Sequence, residues 1–106
     1  MFELKKSGEK YHFVLKAGNG QVILSSQMYA SKSGAMNGIE SVQKNCSDDN
    51  CWERKTAKNG KFHFNLKSTN GQIIGSSQMY AGESGMENGI DSIKKNASGA
   101  EVKEVE

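Results

Sequence analysis

Few residues in this chain could carry chemistry, and most of them come in pairs fifty-one positions apart. His12 is matched by His63. An imidazole titrates near neutral pH and ligates metal through either nitrogen, so two brought together by a twofold axis could hold a cation. No carboxylate or thiol stands at ligand spacing from either, and neither has a visible nucleophile with an orienting acid, so the metal and acid–base readings lack their other members. The expected reading is two exposed strand histidines. Cys46 and Cys51 fit no zinc spacing, and in a reducing compartment they read as free thiols. Position 46 is matched by Ala97, and position 51 falls between the copies, so neither thiol belongs to the repeated design.

The other pairs are polar or aromatic. Tyr29 and Tyr80 stand at a strand-to-helix corner, where a ring can be buried with its hydroxyl tied to backbone or can serve a binding surface with one wet end. The structural reading is the preferred one. Asn37 and Asn88 each precede a glycine inside a helix, Gly38 and Gly89, at a cost of about 1 kcal/mol relative to alanine for each glycine. A close approach of helix to sheet, or of a ligand to the helix, would require that glycine. The amide would bond nearby backbone in the one case and a polar ligand or partner strand in the other. Tyr29, Asn37, Gly38, Tyr80, Asn88 and Gly89 are therefore the candidate binding positions. No catalytic, cofactor or metal residue is assigned.

The elements that position these residues come from an internal duplication. Lys10 to Cys46 recurs as Lys61 to Ala97 with 23 of the 37 aligned residues identical, including the unbroken run Ser25-Ser26-Gln27-Met28-Tyr29-Ala30. Each copy is then one structural unit. At 106 residues the chain is about one domain long, and a lone copy would be marginal, so the copies are expected to share one core over residues 1–106, with repeats at about 1–50 and 51–106. The formal net charge of +2 gives no argument for a polyanionic partner. No apolar run approaches a bilayer span and no apolar leader is visible at Met1-Phe2-Glu3-Leu4-Lys5, so the expected location is the cytoplasm, with no membrane partner.

Periodicity orders each unit. Phe2 to Lys6 reads as a strand. Tyr11, Phe13 and Leu15 put a second strand's aromatic face toward the core, as Phe62, Phe64 and Leu66 do in the second copy, where Val14 on the other face has become Asn65. Gly18-Asn19-Gly20 and Asn70-Gly71 read as hairpin turns in which both residues tolerate positive φ. After Tyr29 the period becomes helical, with Ser31 or Ser33 as the cap and Ala35, Ile39, Val42 and Cys46 as the apolar stripe; Met86, Ile90, Ile93 and Ala97 repeat it. Asn45 and Asn96 suit left-handed C-terminal caps. Trp52 stands where Phe2 stood, so Cys51 to Ala57 would be at once the last strand of copy one and the first of copy two. Ala100 to Val105 reads as a closing strand.

Asn-Gly-Gln after the second strand, Tyr-Ala-Ser-Lys-Ser-Gly-Ala before the helix, and Asn37-Gly38-Ile39-Glu40-Ser41-Val42, echoed at Asn88 to Ile93, together resemble the YegP-type family of small bacterial proteins of unknown function. The second copy departs at Gly82-Glu83, where the first has Ser31-Lys32. The resemblance implies an α+β fold in which two β-β-β-α-β units, in tandem or on two chains, form one continuous antiparallel sheet with two helices on one face and exchanged C-terminal strands. It implies no reaction or substrate. With a dimer-like core supplied internally, a monomer is expected. The leading functional expectation is a small non-catalytic module that binds a protein or a small polar ligand. The alternatives are a nucleic-acid binder using Lys5, Lys6, Lys10, Lys55, Lys58 and Lys61 as a basic rim, and an unrecognised enzyme. The strand aromatics cannot both form the core and stack bases.

Overall fold

Turn chemistry sets the strand lengths. In a computed structural model that describes residues 1–105, the segments Ala17–Gln21, Ala57–Lys61 and Ser68–Gln72 form one turn built three times. The first N–H donates to the last carbonyl (2.9, 2.7 and 2.8 Å), and the glycine N–H donates back to the first carbonyl (2.9, 3.0 and 2.9 Å). The asparagine Oδ1 accepts from the last N–H at 3.0, 3.1 and 3.2 Å. Only the glycines have positive φ: Gly20 +85°, Gly60 +82° and Gly71 +87°. Of the two residues expected to tolerate positive φ in each Asn-Gly pair, only the glycine adopts it. The asparagine stays at negative φ, its side chain supplies the turn bond, and the pairing register shifts just before two of these turns, after Leu15 and Leu66.

The strands so delimited are β1 (Phe2–Ser7), β2 (Lys10–Lys16), β3 (Val22–Ser26), β4 (Trp52–Thr56), β5 (Phe62–Lys67), β6 (Ile73–Ser76) and β7 (Val102–Val105), with α1 (Lys32–Asn45) after β3 and α2 (Glu83–Ala97) after β6. They form one sheet in the order β4-β5-β6-β3-β2-β1-β7. At its centre β3 pairs with β6, where Ser25 faces its own counterpart Ser76. That self-pairing places the approximate twofold axis. Next to it the copies must differ: a Cβ on Gly75 would stand 2.9 Å from the Ser25 carbonyl and 3.0 Å from Leu24 Cγ, so the side chain of Leu24 fills space that its counterpart position vacates.

The exchange of the terminal strand is present, since β7 from the second copy pairs with β1 of the first. The wholly antiparallel sheet is corrected, because β7 runs parallel to β1 and makes the sheet mixed. β2 already occupies the inner edge of β1, and the short link over 98–101 delivers β7 to the outer edge in that direction, with Phe2 N–H donating to the Glu101 carbonyl at 2.9 Å. β4 pairs with β5 as β1 pairs with β2, Trp52 opposite Leu66 matching Phe2 opposite Leu15. It acts as the first strand of copy two, and among the described residues no strand lies on its outer edge.

Both expected helix stripes, Ala35, Ile39, Val42, Cys46 and Met86, Ile90, Ile93, Ala97, are buried in one cluster with Phe13, Leu15, Phe64 and Leu66. Phe2 and Trp52 meet Phe13 and Phe64 edge-on, at centroid separations of 5.8 and 5.3 Å. Trp52 Nε1 donates to the Cys46 carbonyl at 2.9 Å. Ser31 caps α1 by accepting from Gly34 N–H at 3.1 Å, whereas Gly82, its counterpart, gives α2 no side-chain cap. Asn45 and Asn96 are not left-handed caps: each donates back to the carbonyl and hydroxyl of the serine one turn earlier, Ser41 and Ser92. On the open face Val14 and Asn65 are both buried. Asn65 tolerates burial because Nδ2 donates to Glu53 at 2.9 Å and Oδ1 accepts from Ser76 Oγ at 2.6 Å.

Candidate binding site

The repeated run Ser25 to Ala30 folds into the corner that carries Tyr29. Ser26 Oγ accepts from Phe13 N–H at 2.8 Å and donates to the Gln27 carbonyl at 2.8 Å, bending the chain off the sheet. Tyr29 then exchanges two backbone hydrogen bonds with Tyr11, at 2.8 and 2.6 Å. Its ring stacks on Phe13 at 6.1 Å and 15°, and its hydroxyl lies over Gly38, where a Cβ would sit 2.5 Å from the oxygen. In the second copy Ser77, Tyr80, Phe64 and Gly89 repeat each contact. The two glycines are therefore required by the tyrosines, which decides their structural half.

Asn37 has a different setting. It is exposed, and it borders a cleft of about 550 Å³ between α1 and the Ser68–Gln72 turn of the other copy. Gln27, Tyr29, Asn37, Ser41, Ser68 and Gln72 line it over a floor of Ile73 and Ile74. A shallower groove of about 350 Å³ shares Asn37, Ser41 and Ser68 and extends toward Glu40 and Lys44. The larger cleft offers amides, hydroxyls and a phenol that burial pushes above its ordinary pKa, so its lining is uncharged at neutral pH. Such walls both donate and accept hydrogen bonds.

The structure thus gathers Tyr29, Asn37 and Gly38 at one cleft. Tyr80, Asn88 and Gly89 do not line it and stand at the corresponding corner of the other copy. Sequence reasoning missed Gln27, Ser41, Ser68 and Gln72. A signal for Gln27 was present: within the identical run, Ser26 and Tyr29 are consumed by the fold, while Gln27 and Met28 project from it. Met28 and Met79 remain 48% and 44% exposed in both copies, which core packing does not explain.

Two expectations about other sites are corrected. His12 and His63 do not approach each other, because β3 and β6 separate β2 from β5, a spacing of about 14 Å across three strand intervals. Each is half-buried rather than exposed, with a buried Nδ1 that has no hydrogen-bond partner among the described residues. The lysines do not form one rim either. Lys5, Lys6 and Lys10 flank the β1–β2 turn, Lys55, Lys58 and Lys61 the β4–β5 turn, and the central strands lie between the two hairpins. Cys46 and Cys51 are free and buried, and desolvation raises both thiols above their ordinary pKa, the reverse of nucleophile activation. No helix among the described residues is long and apolar enough to cross a membrane.

Fold and site together define a tandem-repeat α+β protein with a composite polar cleft. Family comparison agrees: the chain belongs to the family described as a domain of unknown function (DUF1508), matched twice, over residues 7–53 and 57–104. It is 54% identical over 104 residues to the UPF0339 protein YegP of Escherichia coli, covering 97% of this chain and 94% of that one. It is 55% identical over 100 residues to a UPF0339 protein of Acinetobacter baylyi, covering 94% and 89%. The solution structure of E. coli YegP, described as a protein of unknown function, superposes with a TM-score of 0.91 over 97% of this chain and 90% of that one. That of a UPF0339 protein from Shewanella oneidensis, 51% identical, gives 0.92 over 97% and 88%.

Proposed function

We propose that this protein is a small non-catalytic binding module, monomeric and cytoplasmic, that holds a small neutral polar ligand in the cleft between α1 and the Ser68–Gln72 turn. The observation that carries the reading is the cleft's lining. Amide and hydroxyl groups from both copies converge on one concave, uncharged surface with an apolar floor, the arrangement that recognises a ligand by hydrogen bonds rather than by charge. Such a lining suits a sugar, a nucleoside or an amide and holds no histidine, carboxylate or thiol.

The test is an amide chemical-shift map of the labelled chain against separate pools of neutral sugars, nucleosides and carboxamides. Saturable shifts on Gln27, Asn37, Ser68 and Gln72 that disappear in Asn37→Ala, an exposed substitution, are the expected result. Shifts confined to the lysine-bearing turns on adding oligonucleotides, and abolished by salt, would replace this reading with nucleic-acid binding. No response at the cleft to any pool would overturn it.

A further inference from the structure

The two copies differ sharply at the outer edges of β1 and β4. β4 has no strand beyond it among the described residues, and Arg54, Thr56 and Glu83 border that bare edge. β1 has Leu4 and Lys6 in the places of Arg54 and Thr56, Lys32 stands in the place of Glu83, and β7 lies alongside in parallel. Glu104 stands opposite Leu4 and pairs with Lys32, Lys103 stands opposite Glu3, and Leu4 is buried. Leu4, Lys6, Tyr11 and Lys32 border a recess of about 250 Å³ that Glu104 and Val105 close. An apolar side chain with two lysines beside it thus occurs only where a strand sits, so the β1 edge is built to be covered by an acidic strand.

What covers it is lightly held. β7 has four residues, pairs with β1 alone, and leaves Val102, Lys103 and Glu104 exposed. Its ion pair with Lys32 joins two half-exposed side chains, an interaction of little strength. The link over 98–101 turns at Gly99, with φ +71°. The second copy shows that such a unit stands without an outer strand, since β4 keeps its register on β5 with its edge bare.

We propose that the β1 edge is a docking site for an extended acidic segment of a partner protein, and that β7 is its displaceable stand-in. The segment reads as β7 does: apolar opposite Phe2, basic opposite Glu3, acidic opposite Leu4 and within reach of Lys32. No like charges are then directly opposed, as β7 itself demonstrates. A second copy's β7 is the wrong occupant. It makes the same contacts as the tethered strand, whose effective concentration is about millimolar, so it cannot compete. A partner segment competes by adding contacts beyond the four residues of β7. Backbone pairing supplies its affinity, and Lys32 selects its charge.

The test keeps the full chain and unseats β7 with Lys103→Pro, an exposed position where proline cannot donate to the ladder. The labelled variant should stay folded, with amide shifts confined to β1, β7 and the start of α1. The peptide Ala-Glu-Val-Lys-Glu-Val should then shift Phe2 to Lys6 and Lys32 in the variant and leave the unaltered chain untouched. Ala-Glu-Val-Lys-Lys-Val should bind about fivefold more weakly, the scale of exchanging an attractive for a repulsive half-exposed pair. Adding Lys32→Glu should abolish that difference. In the unaltered chain, amide exchange at Val102 to Val105 should proceed by local opening, well ahead of β2 and β5. Global unfolding of Lys103→Pro, no shifts or shifts away from β1, a charge preference absent or indifferent to Lys32→Glu, or β7 amides that exchange only with the core would each overturn the proposal. Concentration-dependent self-association of the unaltered chain through β1 would make a second copy the occupant and overturn it as well.

Discussion

The hydroxyl of Tyr29 occupies the space above Gly38, with 2.5 Å between that oxygen and the point where a Cβ would stand. Alanine in an open helix position gains about 1 kcal/mol over glycine. At Gly38 the sign should invert, with Gly38→Ala costing about 1–3 kcal/mol through overpacking. Urea denaturation checks it, and the penalty should shrink when Tyr29 is also changed to alanine.

Glu53 joins the two chemistries of the open face. A hydrogen bond from Lys67, then one from Asn65, hold its carboxyl down to about 2 from an ordinary 4.5. The folded value lies below the unfolded one, so its contribution is present above about pH 4.5 and is lost as pH falls toward about 2. A carboxyl-carbon NMR titration should show Glu53 titrating last among the glutamates, and Glu53→Gln should flatten the fall in stability across that window.

Both thiols should be silent in the folded protein. Cys46 and Cys51 are buried with raised pKa values, so an aromatic disulfide reagent should react with neither in native buffer and with both in denaturant. Rapid native reaction at either would contradict the packing.

The two copies should unfold as one unit. α1 packs on β5 and β6 of the second copy as well as on its own β2, while α2 reaches β2 and β3 of the first. An excised first copy, residues 1–50, should be unfolded or self-associated by circular dichroism and sedimentation, since half the shared core is missing. A folded, monomeric fragment would refute the shared core.

Much of this was legible in the chain itself. The duplication gave two equivalent units, the two-residue period of Phe13 and Leu15 gave the buried sheet face, and the spacing of Ala35, Ile39, Val42 and Cys46 gave the helix face packed on it. Those signals are local or self-repeating, and each follows from backbone geometry over a few residues. The pairing of Tyr29 with Gly38 left only half a trace, a glycine inside a helix in both copies.

Tertiary structure decided the rest, because it depends on which elements lie side by side. Only the strand order keeps His12 from His63, brings Ser68 and Gln72 of one copy to Asn37 of the other, and turns β7 parallel to β1. Periodicity fixes which face of a strand is buried; it carries no information about which neighbour a strand meets or in which direction, since backbone hydrogen bonds are the same for every sequence. The same limit separates β1 from β4: the two lie in equivalent register on β2 and β5, yet among the described residues only β1 carries a further strand on its outer edge.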